Sequence, residues 1–202
     1  MSGQRPFVLC LTGSLAMGKS TAARFIAEAG VPVHDSDAVV HKLYEGEAVP
    51  AIGQAFPGSV VGGKVDRAKL GAMVLDDEAA LARLEAIVHP LVAASAERFL
   101  AEAAASGAAL VVLDVPLLFE TGLTRRCDAV MVVSAPPEMQ RRRAFERPGM
   151  TEHKFAALLA KQMPDAEKRR RADFVVDTSK DFAHTRVQIG DILRAAAKMA
   201  RR

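Results

Sequence analysis

Phe7-Val8-Leu9-Cys10-Leu11-Thr12-Gly13-Ser14-Leu15-Ala16-Met17-Gly18-Lys19-Ser20-Thr21 is the stretch whose reading decides the fold. The apolar run Phe7 to Leu11 reads as a buried strand. Ser20 to Ala29 reads as a helix with Phe25, Ile26 and Ala29 on one face, and Gly30 follows as its C-cap. Between them, Gly13 to Ser20 fits G-x-x-x-x-G-K-S. A strand, a glycine-bounded loop and a helix N-terminus make an anion cradle. Backbone N–H groups point inward, and the helix dipole favours negative charge there. In such a cradle Lys19 reaches the β- and γ-phosphates of a nucleotide, and the Ser20 hydroxyl ligates Mg²⁺. The alternative, a chance match in a glycine-containing loop, does not explain why a strand precedes it and a helix follows.

Outward from this unit, strands and helices alternate. Val31 to His34 reads as a second strand ending in Asp35-Ser36-Asp37, with a helix from Ala38 to Leu43. A short helix is expected near Pro50 to Phe56, and turns at Pro57-Gly58 and Gly62-Gly63. Asp66 and Asp77 read as N-caps, the second for a helix with Leu81, Leu84, Ile87 and Val88 inside. Pro90 is expected to open a separate alanine-rich helix ending near Gly107. Leu110 to Val115, Ala129 to Val133 and Phe174 to Val176 read as further buried strands. Helices are expected from Pro137 to Arg147, from Glu152 to Lys161 behind a Thr151 cap, and from Asp181 to Met199. The pattern predicts an α/β three-layer fold with a five-stranded parallel sheet flanked by helices. The chain is expected to be a single domain over 1–202. A helical lobe would be inserted over about 38–106, and a lid segment would span about 137–171.

Composition narrows the class. Of 202 residues, 50% are apolar and 25% charged, the balance of an ordinary globular protein. The net charge of +3 is modest, so the placement of the basic residues matters more than their sum. Arg141-Arg142-Arg143 and Lys168-Arg169-Arg170-Arg171 are the densest clusters, readable either as solvated helix faces or as phosphate-facing segments. The two cysteines, Cys10 and Cys127, read as small buried hydrophobes, with no disulfide framework. No signal peptide is expected in the first residues and no stretch is expected to approach a membrane span, so the expected address is the cytoplasm.

Asp35 and Asp37 fall at the carboxyl end of the second strand, where open α/β sheets bind ligands. They read as candidates to hold Mg²⁺-bound water or to take a proton from an attacking hydroxyl; the competing reading is a helix cap, a task Ser36 or Asp37 could also fill. Asp114 reads either as a Mg²⁺ partner at a strand end or as a turn residue before Pro116. Arg143 and Arg147, four apart, share a helix face and suit a lid closing on a triphosphate. His89 stands at what reads as a helix junction and, on spacing alone, is structural.

Several segments occur in one order: Leu11-Thr12-Gly13 through Ser20-Thr21, Asp35-Ser36-Asp37, Val65-Asp66-Arg67, His89-Pro90, Pro116-Leu117-Leu118-Phe119-Glu120, Gln140 with Arg143 and Arg147, Gln162, and Ala172-Asp173. Together they resemble the dephospho-CoA kinase family, over about residues 7–178. The resemblance implies ATP-dependent phosphorylation of the ribose 3′-hydroxyl of dephospho-CoA, the last step of coenzyme A synthesis, with ATP and Mg²⁺ as cofactors. By motif position it implies Asp37 as the base. Lys19, Ser20 and Thr21 would handle phosphates and Mg²⁺ within the Gly13–Thr21 loop. Arg143 would be the lid arginine, with Arg147 in support. Asp35, Arg67, His89, Leu117, Leu118, Phe119 and Glu120 would lie on the acceptor side, and the segment after Asp173 near adenine. The small-molecule acceptor would be the partner, with no nucleic acid, membrane or obligate protein involved.

Departures from the family pattern are concentrated at two places. Ser14, Ala16 and Met17 replace Gly, Gly and Ser of the usual loop; Ala16 resists positive φ, and Met17 is expected to add bulk near the phosphates. Thr178 stands where the family tends to have asparagine, in a chain without any asparagine. That same absence removes the Asn-Lys-x-Asp guanine site of a GTPase. Kinases of nucleotides, shikimate or gluconate share the loop and the arginine lid but not the Pro-Leu-Leu-Phe-Glu and His-Pro segments. A nucleic-acid binder would need stacking aromatics, and Trp is absent while Tyr occurs once.

Overall fold

The computed structural model describes residues 5–75 and 77–200. The expectation that no signal peptide precedes the first strand falls partly on residues 1–4, outside the described residues. In chain order the elements are β1 (Phe7–Gly13), α1 (Lys19–Glu28), β2 (Val33–Asp35), α2 (Ser36–Leu43), α3 (Val49–Ala55), β3 (Val60–Val61), β4 (Lys64–Val65), α4 (Arg67–Val74) and α5 (Glu78–Ala105). They continue with β5 (Leu110–Asp114), a 3-10 turn (Leu123–Arg126), β6 (Ala129–Ser134), α6 (Pro137–Phe145), α7 (Glu152–Ala160), α8 (Asp165–Arg171), β7 (Phe174–Asp177) and α9 (Phe182–Met199).

Two compact units form. The first comprises residues 1–34 and 100–202, the second 35–99. In the first, the five-stranded sheet runs β2-β5-β1-β6-β7. Strand β1 is flanked in parallel by β5 and β6, so Leu9 stands opposite both Val112 and Ala129. Alternate residues Leu9, Leu11, Val112, Met131 and Val133 join Phe25 and Ile26 of α1 and Ile189, Leu193 and Ala196 of α9 in one core cluster. Val8, Cys10, Val111, Val130 and Val132, on the opposite face by strand alternation, are buried as well. Burial on both faces is why these strands are apolar throughout rather than alternating. Two aspartates pin the strand starts: Asp128 accepts from Val8 N–H at 2.7 Å, and Asp173 from Val130 N–H at 2.8 Å.

The second unit is helical around Leu43, Ile52, Phe56, Leu70, Leu84 and Val88. Its small antiparallel hairpin, β3 with β4 across Gly62-Gly63, was expected only as a turn. A Gly-Gly pair between two short strand-forming runs is the sequence mark of such a hairpin. Asp66 and Asp77 cap as expected, Asp66 accepting from Ala68 and Lys69 N–H and Asp77 from Ala80 N–H.

Three expectations are corrected. Pro90 does not open a new helix; it lies inside α5, one continuous helix of 28 residues. His89 and Pro90 are exposed there, so the carbonyl that loses its partner to proline faces water, which lowers the cost of an internal proline. His89 is therefore mid-helix rather than at a junction. With the two segments joined, α5 is also long and apolar enough, by length and composition, to cross a membrane, against the expectation that no stretch approaches a span. Its apolar stripe Ala80, Leu84 and Val88 is packed in the helical core. Third, Cys10 and Cys127 are not free thiols but a disulfide, with Cα atoms 5.6 Å apart across 117 residues of sequence. Pairing of β1 with β6 brings the approach to β6 alongside β1, a proximity that cysteine spacing does not reveal. Cysteine usage therefore gives no argument for a reducing compartment.

Candidate active site

At the carboxyl end of β1 the chain turns through Ser14 to Gly18 into α1. Gly13 is demanded by packing: a Cβ there would lie 2.4 Å from Val133 Cγ2 and 2.9 Å from its carbonyl oxygen. Gly18 is demanded by backbone shape, since it precedes α1 at φ +92°. Ala16 is the non-glycine residue that takes the left-handed region, at φ +60°. The loop thus needs the conformation that glycine supplies elsewhere in the family pattern, and the Ala16 methyl group is held in it by packing with Ala144 and Phe155. Met17 corrects an expectation. Its side chain adds its bulk to the main core, 2% exposed, with Sδ accepting from Ala135 N–H at 3.1 Å.

The loop is gripped from outside by residues far away in sequence. Leu15 N–H donates to Gln162 Oε1 at 2.9 Å, and the Leu15 carbonyl accepts from Gln140 Nε2 at 2.8 Å. Two glutamines thereby satisfy both backbone polar groups of one half-buried loop residue. Lys19, in the first turn of α1, places its ammonium 2.7 Å from Asp114 Oδ1 at the end of β5, where the carboxylate is almost wholly buried. Asp114 is thus the ion-pair partner of Lys19, a pairing that neither sequence reading named. Ser20 and Thr21 follow in the first turn, with Ser20 exposed.

Arg143 donates from Nη1 to Thr178 Oγ1 at 3.1 Å and from Nη2 to the Thr178 carbonyl at 2.7 Å. Arg147 lies exposed beyond the end of α6. The other clustered cations do not share one environment, and Arg169 lines the cavity beside the loop. Arg141 pairs with Glu152 and lies over the Phe145 ring, while Arg170 and Arg171 both pair with Glu167 on α8. Lys168 is completely buried and lies 2.9 Å from Glu120 Oε1. The helix α8 was missed from the sequence; its one inward cation among four is the signal that marks an inner face.

The Pro116–Glu120 segment divides. Leu117 is exposed and Phe119 half-buried, whereas Leu118 is wholly buried. Glu120 also accepts from Met163 N–H at 2.8 Å. Burial opposes its ionised form, but the Lys168 ammonium and the Met163 N–H outweigh that and hold the carboxyl below its ordinary value. Glu120 thus ties this segment to the residues before α8.

In the helical unit, Asp35 fills the cap, its Oδ1 accepting from Ala38 N–H at 3.0 Å. The cap expected of Ser36 or Asp37 is therefore taken, and Asp37 stands exposed in the first turn of α2. Arg67 lies with Nη1 3.0 Å from His41 Nε2.

Beside the loop, a cavity of about 670 Å³ is lined by Ser14, Met17, Gln140, Gln162, Asp165, Arg169, Asp177 and Ser179 among others. That volume falls in the range of small-molecule sites.

A family model described as dephospho-CoA kinase matches residues 7–184. The chain belongs to the dephospho-CoA kinase family. A dephospho-CoA kinase of Rhodopseudomonas palustris is 62% identical over 195 residues, 96% of this chain and 98% of that protein. That of Bradyrhizobium diazoefficiens is 59% identical over the same shares. A solved structure from Thermus thermophilus superposes with TM-score 0.83 at 35% identity, covering 95% of this chain and 98% of its own. Dephospho-CoA kinase from Campylobacter jejuni, at TM-score 0.68 and 22% identity, covers 96% of this chain and all of its own and agrees in fold. A shikimate kinase from Bacteroides thetaiotaomicron, at 0.52 and 15%, extends the likeness of fold to other P-loop kinases. This dephospho-CoA kinase family member is an ATP-dependent phosphotransferase of the final step of coenzyme A biosynthesis.

Proposed function

We propose that the chain moves the γ-phosphoryl group of ATP to the 3′-hydroxyl of the dephospho-CoA ribose, releasing ADP and CoA, with the hydroxyl proton passing to Asp37. The observation that carries the donor side is the pairing of Lys19 with Asp114 at the mouth of a loop whose Gly18 has the left-handed turn. Lys19 is held at the N-terminus of α1, where backbone N–H groups and the helix dipole attract phosphate oxygens. When phosphate arrives, the ammonium exchanges its carboxylate partner for a phosphate oxygen. Arg143, with Arg147 in support, neutralises charge as it spreads over the transferring group.

Mg²⁺ fits the donors at hand. Ser20 offers a hydroxyl in the first turn and Asp114 a carboxylate beside Lys19, both hard oxygen ligands. Among the described residues no cluster of three His, Cys, Asp or Glu could hold a metal, which suits an ion that binds through one or two protein oxygens, nucleotide phosphates and waters. Bound there, it would draw charge from the β- and γ-oxygens.

On the acceptor side we assign Asp37 to the ribose hydroxyl, with Asp35, Arg67, His89 and Leu117 to Glu120 bordering the site. Asp37 suits the role by its exposure in the first turn of α2. We place the protein in the cytoplasm, acting on the small molecule without nucleic acid, membrane or an obligate protein partner. The test is incubation with ATP, Mg²⁺ and dephospho-CoA, followed by mass measurement. A product heavier by one phosphoryl group supports the reading. ADP release with shikimate, gluconate or a nucleoside monophosphate, and none with dephospho-CoA, overturns it.

A further inference from the structure

We infer that Thr178 is a positioning residue, which holds the Arg143 guanidinium against the phosphate loop through its hydroxyl and its carbonyl. Thr178 follows β7 and is 5% exposed. Its Oγ1 accepts from Arg143 Nη1 at 3.1 Å. The same oxygen donates its hydrogen to the Met17 carbonyl at 2.9 Å, with the Ser134 carbonyl 3.2 Å away. Arg143 Nη2 reaches the Thr178 carbonyl at 2.7 Å, and Thr178 N–H is itself fixed to the Ser134 carbonyl at 2.9 Å. The guanidinium is thus clamped by two acceptors of one residue, and that residue is anchored to the loop and to β6.

The location matters because of what lies next to it. Met17 precedes Gly18, and a Cβ at Gly18 would come within 3.3 Å of Thr178 Cγ2 and Oγ1. Thr178 therefore packs on the residue that opens α1 and bonds to the one before it. A hydroxyl that accepts a charged donor and donates to a carbonyl polarises in both directions at once. The arginine is set in place before phosphate binds, which spares the reorganisation that a free side chain would undergo during transfer. Valine has the same shape and can neither accept nor donate; serine keeps the hydroxyl.

The inference rests on the assignment of Arg143 to the transferring phosphoryl group. The experiment is a cycle of T178V, R143A and the double variant, with T178S as the conservative control. It reads kcat, KM for ATP and thermal midpoint. Loss of one charge-assisted bond, with the bond to the Thr178 carbonyl retained, predicts a fall in kcat of about tenfold for T178V. KM for ATP should move less than kcat, T178S should recover most of the loss, and T178V should add little on the R143A background. T178A provides the same cycle if T178V does not fold. Wild-type kcat in T178V, or a full repeat of its loss without Arg143, overturns the inference while leaving Arg143 in place. An R143A enzyme with wild-type kcat overturns the assignment of Arg143 and the inference with it.

Discussion

The phosphate loop and the helical unit hold their candidate residues in opposite ways. Around the loop several candidate groups are tied to partners: Lys19 to Asp114, Arg143 to Thr178, and the Leu15 backbone to Gln140 and Gln162. In the helical unit Asp37, Arg67 and His89 stand exposed, beside a local cap at Asp35 and a contact between Arg67 and His41. The difference teaches where pre-organisation is invested. Phosphates are the same in every turnover and carry large charge, so fixed donors repay their ordering. On the proposed reading, the base Asp37 stays exposed in the first turn of α2.

The strongest way to break this comparison is Asp37→Asn. It should lower kcat by about 10² to 10⁴-fold, the usual worth of a general base, with ATP affinity nearly unchanged. Single-turnover kinetics and ATP titration check it, and near-normal kcat would remove Asp37 from the base role.

Glu120→Ala tests whether the Pro116–Glu120 segment belongs with the rigid side. It leaves the buried Lys168 without its counter-charge and should destabilise by about 3 kcal/mol in urea unfolding. The pH dependence has a definite sign. The folded carboxyl ionises below its ordinary value of 4.5. Its contribution is therefore full at neutral pH and fades as pH falls from about that value through the folded one. The stability gap between wild type and Glu120→Gln should narrow over the same acid range; a gap independent of pH would show that the charge is not what matters.

Gln162→Leu removes one half of the grip on Leu15. An unsatisfied loop N–H should cost about 1–2 kcal/mol. If the grip serves nucleotide binding, KM for ATP rises about tenfold, while an unchanged KM makes it purely structural. The smallest effect is expected from Ala16→Gly. Release from the left-handed region gains about 1 kcal/mol, but the lost buried methyl group costs about 0.8 kcal/mol, so the thermal midpoint should hardly move. A large rise would show that the loop is strained beyond what its packing offsets.

Much of this was legible in advance. The strand–loop–helix unit, the caps at Asp66, Asp77 and Thr151 and the buried strands follow from signals a few residues long. Pro90 misled because a helix-breaking residue was judged without knowing that its face is solvated. The four-cation run at Lys168 misled because burial of one member depends on where Glu120 sits. The cysteines misled because strand order, not spacing, set them side by side.

By itself, then, the sequence determined the phosphate cradle and the α/β alternation, since both are written in neighbours and in the period of apolar residues. Tertiary structure alone decided which cation of each cluster is held inward, Arg143 by Thr178 and Lys168 by Glu120, that Met17 turns into the core, and that Thr178 joins the loop to Arg143. Those outcomes rest on bonds between residues as much as 161 positions apart. They exist only once the parallel sheet has laid the ends of β1, β6 and β7 side by side.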